Sequence, residues 1–125
     1  MNIEISVGEV LDKLTILSIK KDQIFNINQL VNINNEYHYI YNLCQHLMED
    51  IEIQALYYKL LDINKLLWNI ENNIRIKEHE KQFDDEFISL ARKVYITNDQ
   101  RSVIKKQINI LTSSKFIEEK SYDRY

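Results

Sequence analysis

Apolar residues recur along this chain at alternating spacings of four and three, the interval that gathers side chains on one side of an α-helix. The clearest row is Leu56, Leu60, Ile63, Leu67, Ile70 and Ile74. Beside it runs a second row, Tyr57, Leu61, Asn64, Trp68, Glu71, Arg75 and Glu78, which turns from apolar to ionic halfway along. Together they predict one long helix over residues 52–81, about 45 Å at 1.5 Å per residue. The ionic end of the second row marks where a site is to be sought.

The rest of the chain repeats the pattern. Ser6 with Glu9 three residues on reads as a capping box, and the first helix follows with Val10, Leu14, Leu17 and Ile24 on its seam. Asn26 and Asn28 mark a turn or kink before a second helix carrying Ile33, Tyr37, Ile40, Cys44 and Leu47, which should end near Glu49 and Asp50. Tyr39 and Tyr41 flank that seam, and an apolar body with a polar tip suits a core rim or a dimer surface. After the long helix, Asp84 is the expected cap of a fourth helix with Phe87, Leu90, Ala91, Val94 and Tyr95. Asn98 or Asp99 is the expected cap of a fifth with Val103, Ile104, Ile108 and Leu111, stopped by Ser113 and Ser114. Phe116, Ile117 and Tyr122 are placed to pin the tail across the bundle. The expectation is a single all-α domain over residues 1–125, an up-and-down bundle of about five helices. Apolar stripes wider than one seam requires add the expectation of a homo-oligomer.

Composition narrows the function classes. The chain has 125 residues, no proline and one glycine, so glycine-rich phosphate loops, dinucleotide fingerprints and hairpin-rich folds are excluded. A net charge of −3, spread along the chain, offers no basic face for duplex nucleic acid. The lone Cys44 cannot close an intrachain disulfide and points to a reduced, cytoplasmic setting. No apolar run reaches the roughly 18 residues that a membrane span needs, and no basic-then-apolar leader opens the sequence, so no membrane partner is expected.

Metal chemistry finds little support. His79 and Glu80 begin like a zinc-protease motif, but its fifth position is Phe83, and Cys44, His38 and His46 do not make a ligand set. Glu71, Glu78, Asp84, Asp85 and Glu86 lack the bracketing spacing of a Mg²⁺ site, and Arg75 sits among them. Neither a metal nor a cofactor is expected. Glu71 and Arg75 are an ordinary i, i+4 pair on their own, common on solvated helices. Their continuation in Arg92, Tyr95, Asn98, Asp99, Arg101, Lys105 and Asn109 gives the pair more weight. If the fourth helix folds back along the third, Arg75 and Arg92 face one pocket with Trp68 or Tyr95 as a stacking wall. The candidate site is therefore Trp68, Glu71, Arg75, Glu78, Arg92, Tyr95, Asn98, Asp99, Arg101 and Lys105. Arginines and a lysine near a helix N-terminus suit a carboxylate or phosphate. The ligand expected is an anionic metabolite, a nucleotide or sugar phosphate. One alternative is an enzyme on such a ligand, with Glu71 or Glu78 as a general acid or base whose pKa burial would have to raise. Another is a structural ion-pair network in a helical adaptor without a ligand.

The segments SVGEVLDKLTIL, LWNIENNIR, FDDEFISLARKVY, NDQR and EEKSY resemble an uncharacterised family of short helical proteins, a domain of unknown function. The resemblance covers most of the chain. It implies a shared helical fold and an association with bacteria, phages and carbohydrate-related gene neighbourhoods, which would favour a sugar-related role. It assigns no catalytic residues.

Overall fold

The computed structural model describes residues 1–113. The expected anchoring by Phe116, Ile117 and Tyr122 lies outside the described residues. Four α-helices follow one another: α1 Val7–Gln23, α2 Ile27–Cys44, α3 Ile51–His79 and α4 Asp85–Leu111, with a short 3-10 turn Gln45–Glu49 between α2 and α3. Among the described residues there is no strand, so the all-helical expectation holds with four helices instead of about five.

Local chemistry sets most of the boundaries. The Ser6 hydroxyl accepts the Glu9 N–H at 3.2 Å and starts α1, and the Asn26 side chain accepts the Gln29 N–H at 3.0 Å and starts α2. Asp50 accepts from the Glu52 and Ile53 amides, and Asp84 from Phe87 at 2.9 Å, so α3 and α4 also begin on side-chain caps. The α3–α4 turn is closed by Lys81 in the left-handed region at φ 57°, with the Gln82 N–H donating to the Lys77 carbonyl.

The expected break at Asn98 and Asp99 does not occur. Both residues lie inside α4, which runs without interruption for 27 residues. Residues that favour caps do so by competing for nearby backbone groups, but the Asn98 side-chain oxygen instead accepts a hydrogen bond from Arg101. No Gly or Pro follows to end the helix.

The core gathers Leu11, Leu14 and Leu17 of α1, Ile40 and Cys44 of α2, Ile53, Tyr57 and Leu60 of α3, and Ile104 and Ile108 of α4. Residue pairing gives the helix directions. On α4, Gly8, Glu9 and Asp12 meet Asn109, Lys105 and Arg101 in descending order, so α1 runs antiparallel to α4. On α3, Asp12 and Thr15 meet Asn64, while Gln23 at the end of α1 lies by Trp68 and Asn69, so α1 runs parallel to α3. Thus α1 lies in the groove between α3 and α4, and α2 packs on its other side.

The length mismatch shapes the molecule. α3 has 29 residues and α1 has 17, about 43 Å against about 25 Å. α1 runs out opposite Trp68, and beyond it α3 and α4 continue as a two-helix arm. The second row therefore changes character with its neighbour. Tyr57, near Tyr37, Tyr41 and Cys44 of α2, and Asn64, under α1, are buried, whereas Glu71, Arg75 and Glu78, past the end of α1, are exposed.

Candidate functional site: a polar junction of three helices

Every buried polar or charged side chain among the described residues falls where α1 crosses α3 and α4: Ser6, Asp12, Thr15, Asn64, Thr97, Lys105 and Asn109. None lies on α2 or on the arm. Burying such groups costs free energy unless each is paired, and the pairing here is dense.

Asp12 is at the centre. Its carboxylate accepts from the Arg101 Nε at 2.9 Å, from the Arg101 Nη2 and from the Asn64 Nδ2 at 2.9 Å, a two-pronged guanidinium contact of the kind that fixes orientation as well as charge. The Asp12 side chain is 6% exposed and that of Arg101 is 26% exposed. Asn64 also donates to the Thr15 hydroxyl at 2.7 Å, which donates to the Asp12 carbonyl at 2.6 Å. One turn away, the Lys105 ammonium pairs with the Glu9 carboxylate; Lys105 is buried and Glu9 half open to solvent at 44%. The capping box is therefore only half made, because the Glu9 side chain turns across to α4.

The floor of the junction is set by the one glycine. The Gly8 N–H donates to the Asn109 Oδ1 at 2.7 Å. A Cβ at Gly8 would stand 2.6 Å from the Lys105 carbonyl oxygen and 2.8 Å from the Asn109 Oδ1, so only glycine permits this approach. The Asn109 Nδ2 is buried without a hydrogen-bond partner.

The ten residues expected to form one site lie in four places. Asn98, Arg101 and Lys105 belong to this junction, with Asp99 half-buried beside them. Trp68 lines a crevice of about 120 Å³ with Lys65, Asn69 and the end of α1 at Ile19, Asp22 and Gln23. Glu71, Arg75 and Glu78 edge an open groove on the arm, floored by Ile74, Phe87 and Val94. Arg92 and Tyr95 are exposed on α4, and Arg92 does not line the groove that Arg75 edges. The general acid or base role required a buried carboxylate, and Glu71 and Glu78 are both exposed. Sequence reasoning missed Asp12 altogether and saw Glu9 only as a cap.

Two further electrostatic features lie apart from the junction. At the arm's tip the Lys77 ammonium binds Asp84 at 2.9 Å and Glu86 at 3.1 Å. The hydrogen bond that Lys77 donates to Asp84, then the one it donates to Glu86, raises the Lys77 pKa, and accepting from Lys77, then from the Phe87 N–H, lowers that of Asp84. In the core, burial pushes the Tyr57 phenol up to about 12 and raises the Cys44 thiol, so both stay neutral at physiological pH. Among the described residues no three His, Cys, Asp or Glu side chains gather as a metal would require, and no helix is long and apolar enough to cross a membrane.

Among the described residues the buried charges gather at one three-helix junction, which defines the class: an all-helical domain with a polar centre between α1, α3 and α4. The chain belongs to the family of unknown function DUF6165, whose model matches residues 1–125. No curated protein and no solved structure matches it.

Proposed function

We propose that the protein binds an anionic metabolite, a nucleotide or sugar phosphate, at the α1–α3–α4 junction, and that it does so as a homo-oligomer in the cytoplasm. The observation that supports this reading is the confinement of the buried polar groups to one place that reaches the surface through Glu9 and Arg101. A buried ion pair is weak ground for stability, since well-packed apolar residues of the same volume often serve as well or better. Two such pairs side by side in a small core are better accounted for by a ligand. Asp12 and Glu9 hold the Arg101 guanidinium and the Lys105 ammonium in place, and a positioned cation binds phosphate or carboxylate without first being ordered. The carboxylates and the Asn98 amide are the groups that accept from and donate to sugar hydroxyls.

A thermal-shift screen with nucleoside phosphates, hexose phosphates and dicarboxylates tests the reading, because a ligand that binds only the folded state raises its apparent stability. The best probe should then lose about tenfold or more in affinity with Arg101→Gln or Lys105→Gln, corresponding to about 1.5–3 kcal/mol for a charge-assisted contact. It should be unaffected by Arg92→Gln on the exposed face of α4. A panel with no shift, or equal affinity in all the variants, would favour a purely structural adaptor.

A further inference from the structure

α1 fills only the lower part of the groove between α3 and α4. Past Trp68 the same groove continues along the arm as an open trough of about 360 Å³ with Ile74, Phe87 and Val94 at its floor. Its α3 edge carries Glu71, Arg75 and Glu78. Helical spacing puts Ala91, Ile88 and Tyr95 in succession on its α4 edge, and Ile88 and Tyr95 are exposed. An apolar floor with an ionic rim is the anatomy of a protein interface. The α1–α2 connection, next to the point where α1 ends, leaves Phe25 and Ile27 largely exposed as well.

We infer that this trough is closed by the arm of a second copy of the chain, laid antiparallel across it about a two-fold axis, so that four helices pack where one pair now stands. The inference rests on the oligomer expected above and specifies its surface. The charge order on α3 supports it, because a two-fold pairing places each residue opposite its counterpart from the other end. Opposite charges meet in two registers, Arg75 against the partner copy's Glu71 or against its Glu78. In the first, the end of the partner copy's α1 comes level with Lys77, inside the span of α3, which continues to His79, and the two chains collide. In the second, it falls beyond His79 and clears. That register pairs Arg75 with Glu78 twice and sets the axis between Ile76 and Lys77. Lys77 reaches across to Glu86, so on α4 the axis falls near Phe87 and Ile88, whose apolar side chains meet their own copies. The arm's tip, with exposed Phe83, then reaches the exposed Phe25 and Ile27 of the partner copy.

The test uses the full chain, with mass measured by light scattering at micromolar concentration. Cross-linking with a short bis-maleimide follows on Ile88→Cys and on Ile51→Cys, an exposed site at the far end of α3. Cys44 is buried and does not compete. A mass of two chains, with cross-linking at position 88 and none at 51, is expected. Arg75→Glu, shown to stay helical by circular dichroism, should raise the dimer dissociation constant about ten- to a hundredfold by setting like charges face to face, and Arg75→Glu with Glu78→Arg should restore it. A native monomer would overturn the inference. So would a dimer that fails to cross-link at 88, or one indifferent to Arg75→Glu. Thermal shifts with the ligand panel, repeated on Arg75→Glu, keep the junction reading separately measurable.

Discussion

Gly8→Ala is the substitution whose sign separates a close helix contact from an ordinary helix position. In a helix that touches nothing, replacing glycine by alanine stabilises by about 1 kcal/mol through chain entropy and propensity. At Gly8 the new methyl would meet the Lys105 carbonyl oxygen at 2.6 Å, the Asn109 Oδ1 at 2.8 Å and the Asn109 Cγ at 3.2 Å. The nearest atom is backbone inside α4 and cannot swing aside. α1 must therefore withdraw by about 1 Å to reach normal contact distance. That withdrawal breaks the buried Gly8–Asn109 hydrogen bond, leaving groups whose desolvation costs about 1–3 kcal/mol, and it stretches the Asp12–Arg101 and Glu9–Lys105 pairs. Partly offset by propensity, the net expectation is a loss of about 2–4 kcal/mol. Urea unfolding followed by circular dichroism measures it. A variant as stable as the native chain, or more stable, would refute the close approach of α1 to α4.

Other expectations follow the same physics. Ile70→Ala on the arm, where Ile70 is 4% exposed, should cost about 2–5 kcal/mol, and an unchanged urea midpoint would mean the α3–α4 seam is misplaced. Asp12→Leu alone removes the buried carboxylate that Arg101 binds and should cost about 3–5 kcal/mol, whereas Asp12→Leu with Arg101→Met should recover much of that loss; a double variant no better than the single would contradict the pairing. Lys81 holds a left-handed conformation at φ 57°, so Lys81→Gly should stabilise by about 0.5–1 kcal/mol, and a drop in the unfolding temperature would count against that turn. The Tyr57 pKa is raised from 10.0 to about 12, so its contribution is intact below pH 10 and is lost as pH rises toward 12. Alkaline unfolding of Tyr57→Phe should therefore begin at higher pH than that of the native chain; coincident alkaline transitions would refute the burial of that phenol.

Helix content and most boundaries were legible because they rest on local chemistry. Ser6 and Asp84 cap helices in the structure as their side chains predict, Asn26, expected only to mark a turn or kink, caps α2 as well, and the four-three rows mark which faces are buried. Asn98 and Asp99 were misleading for a physical reason. A residue that favours caps looks the same in sequence whether it starts a helix or turns a polar face toward another helix, and only the position of α1 decides between them. The site was legible only in part, since its pairs join residues up to 101 apart, as Gly8 and Asn109 are, and no local pattern reports such a pairing. One signal was available. The only glycine stands in the first turn of a helix, where propensity disfavours it, and that placement points to a backbone contact. The second row of α3 also recorded the length of α1, being uncharged where α1 covers it and ionic where α1 has ended.

The glycine also supplies the most direct test of the proposed site. A chain with one Gly has one glycine amide, which resonates apart from most others in an ¹⁵N–¹H correlation spectrum, and in this fold it lies at the base of the junction, bonded to Asn109. Titration with hexose phosphates and nucleoside phosphates should move the amides of Gly8, Asp12, Asn64, Arg101 and Lys105 together along one saturable curve and leave those of α2 in place. Spectra that stay unchanged with every phosphate, or saturable shifts confined to the arm or to α2, would contradict a ligand site at the junction of α1, α3 and α4.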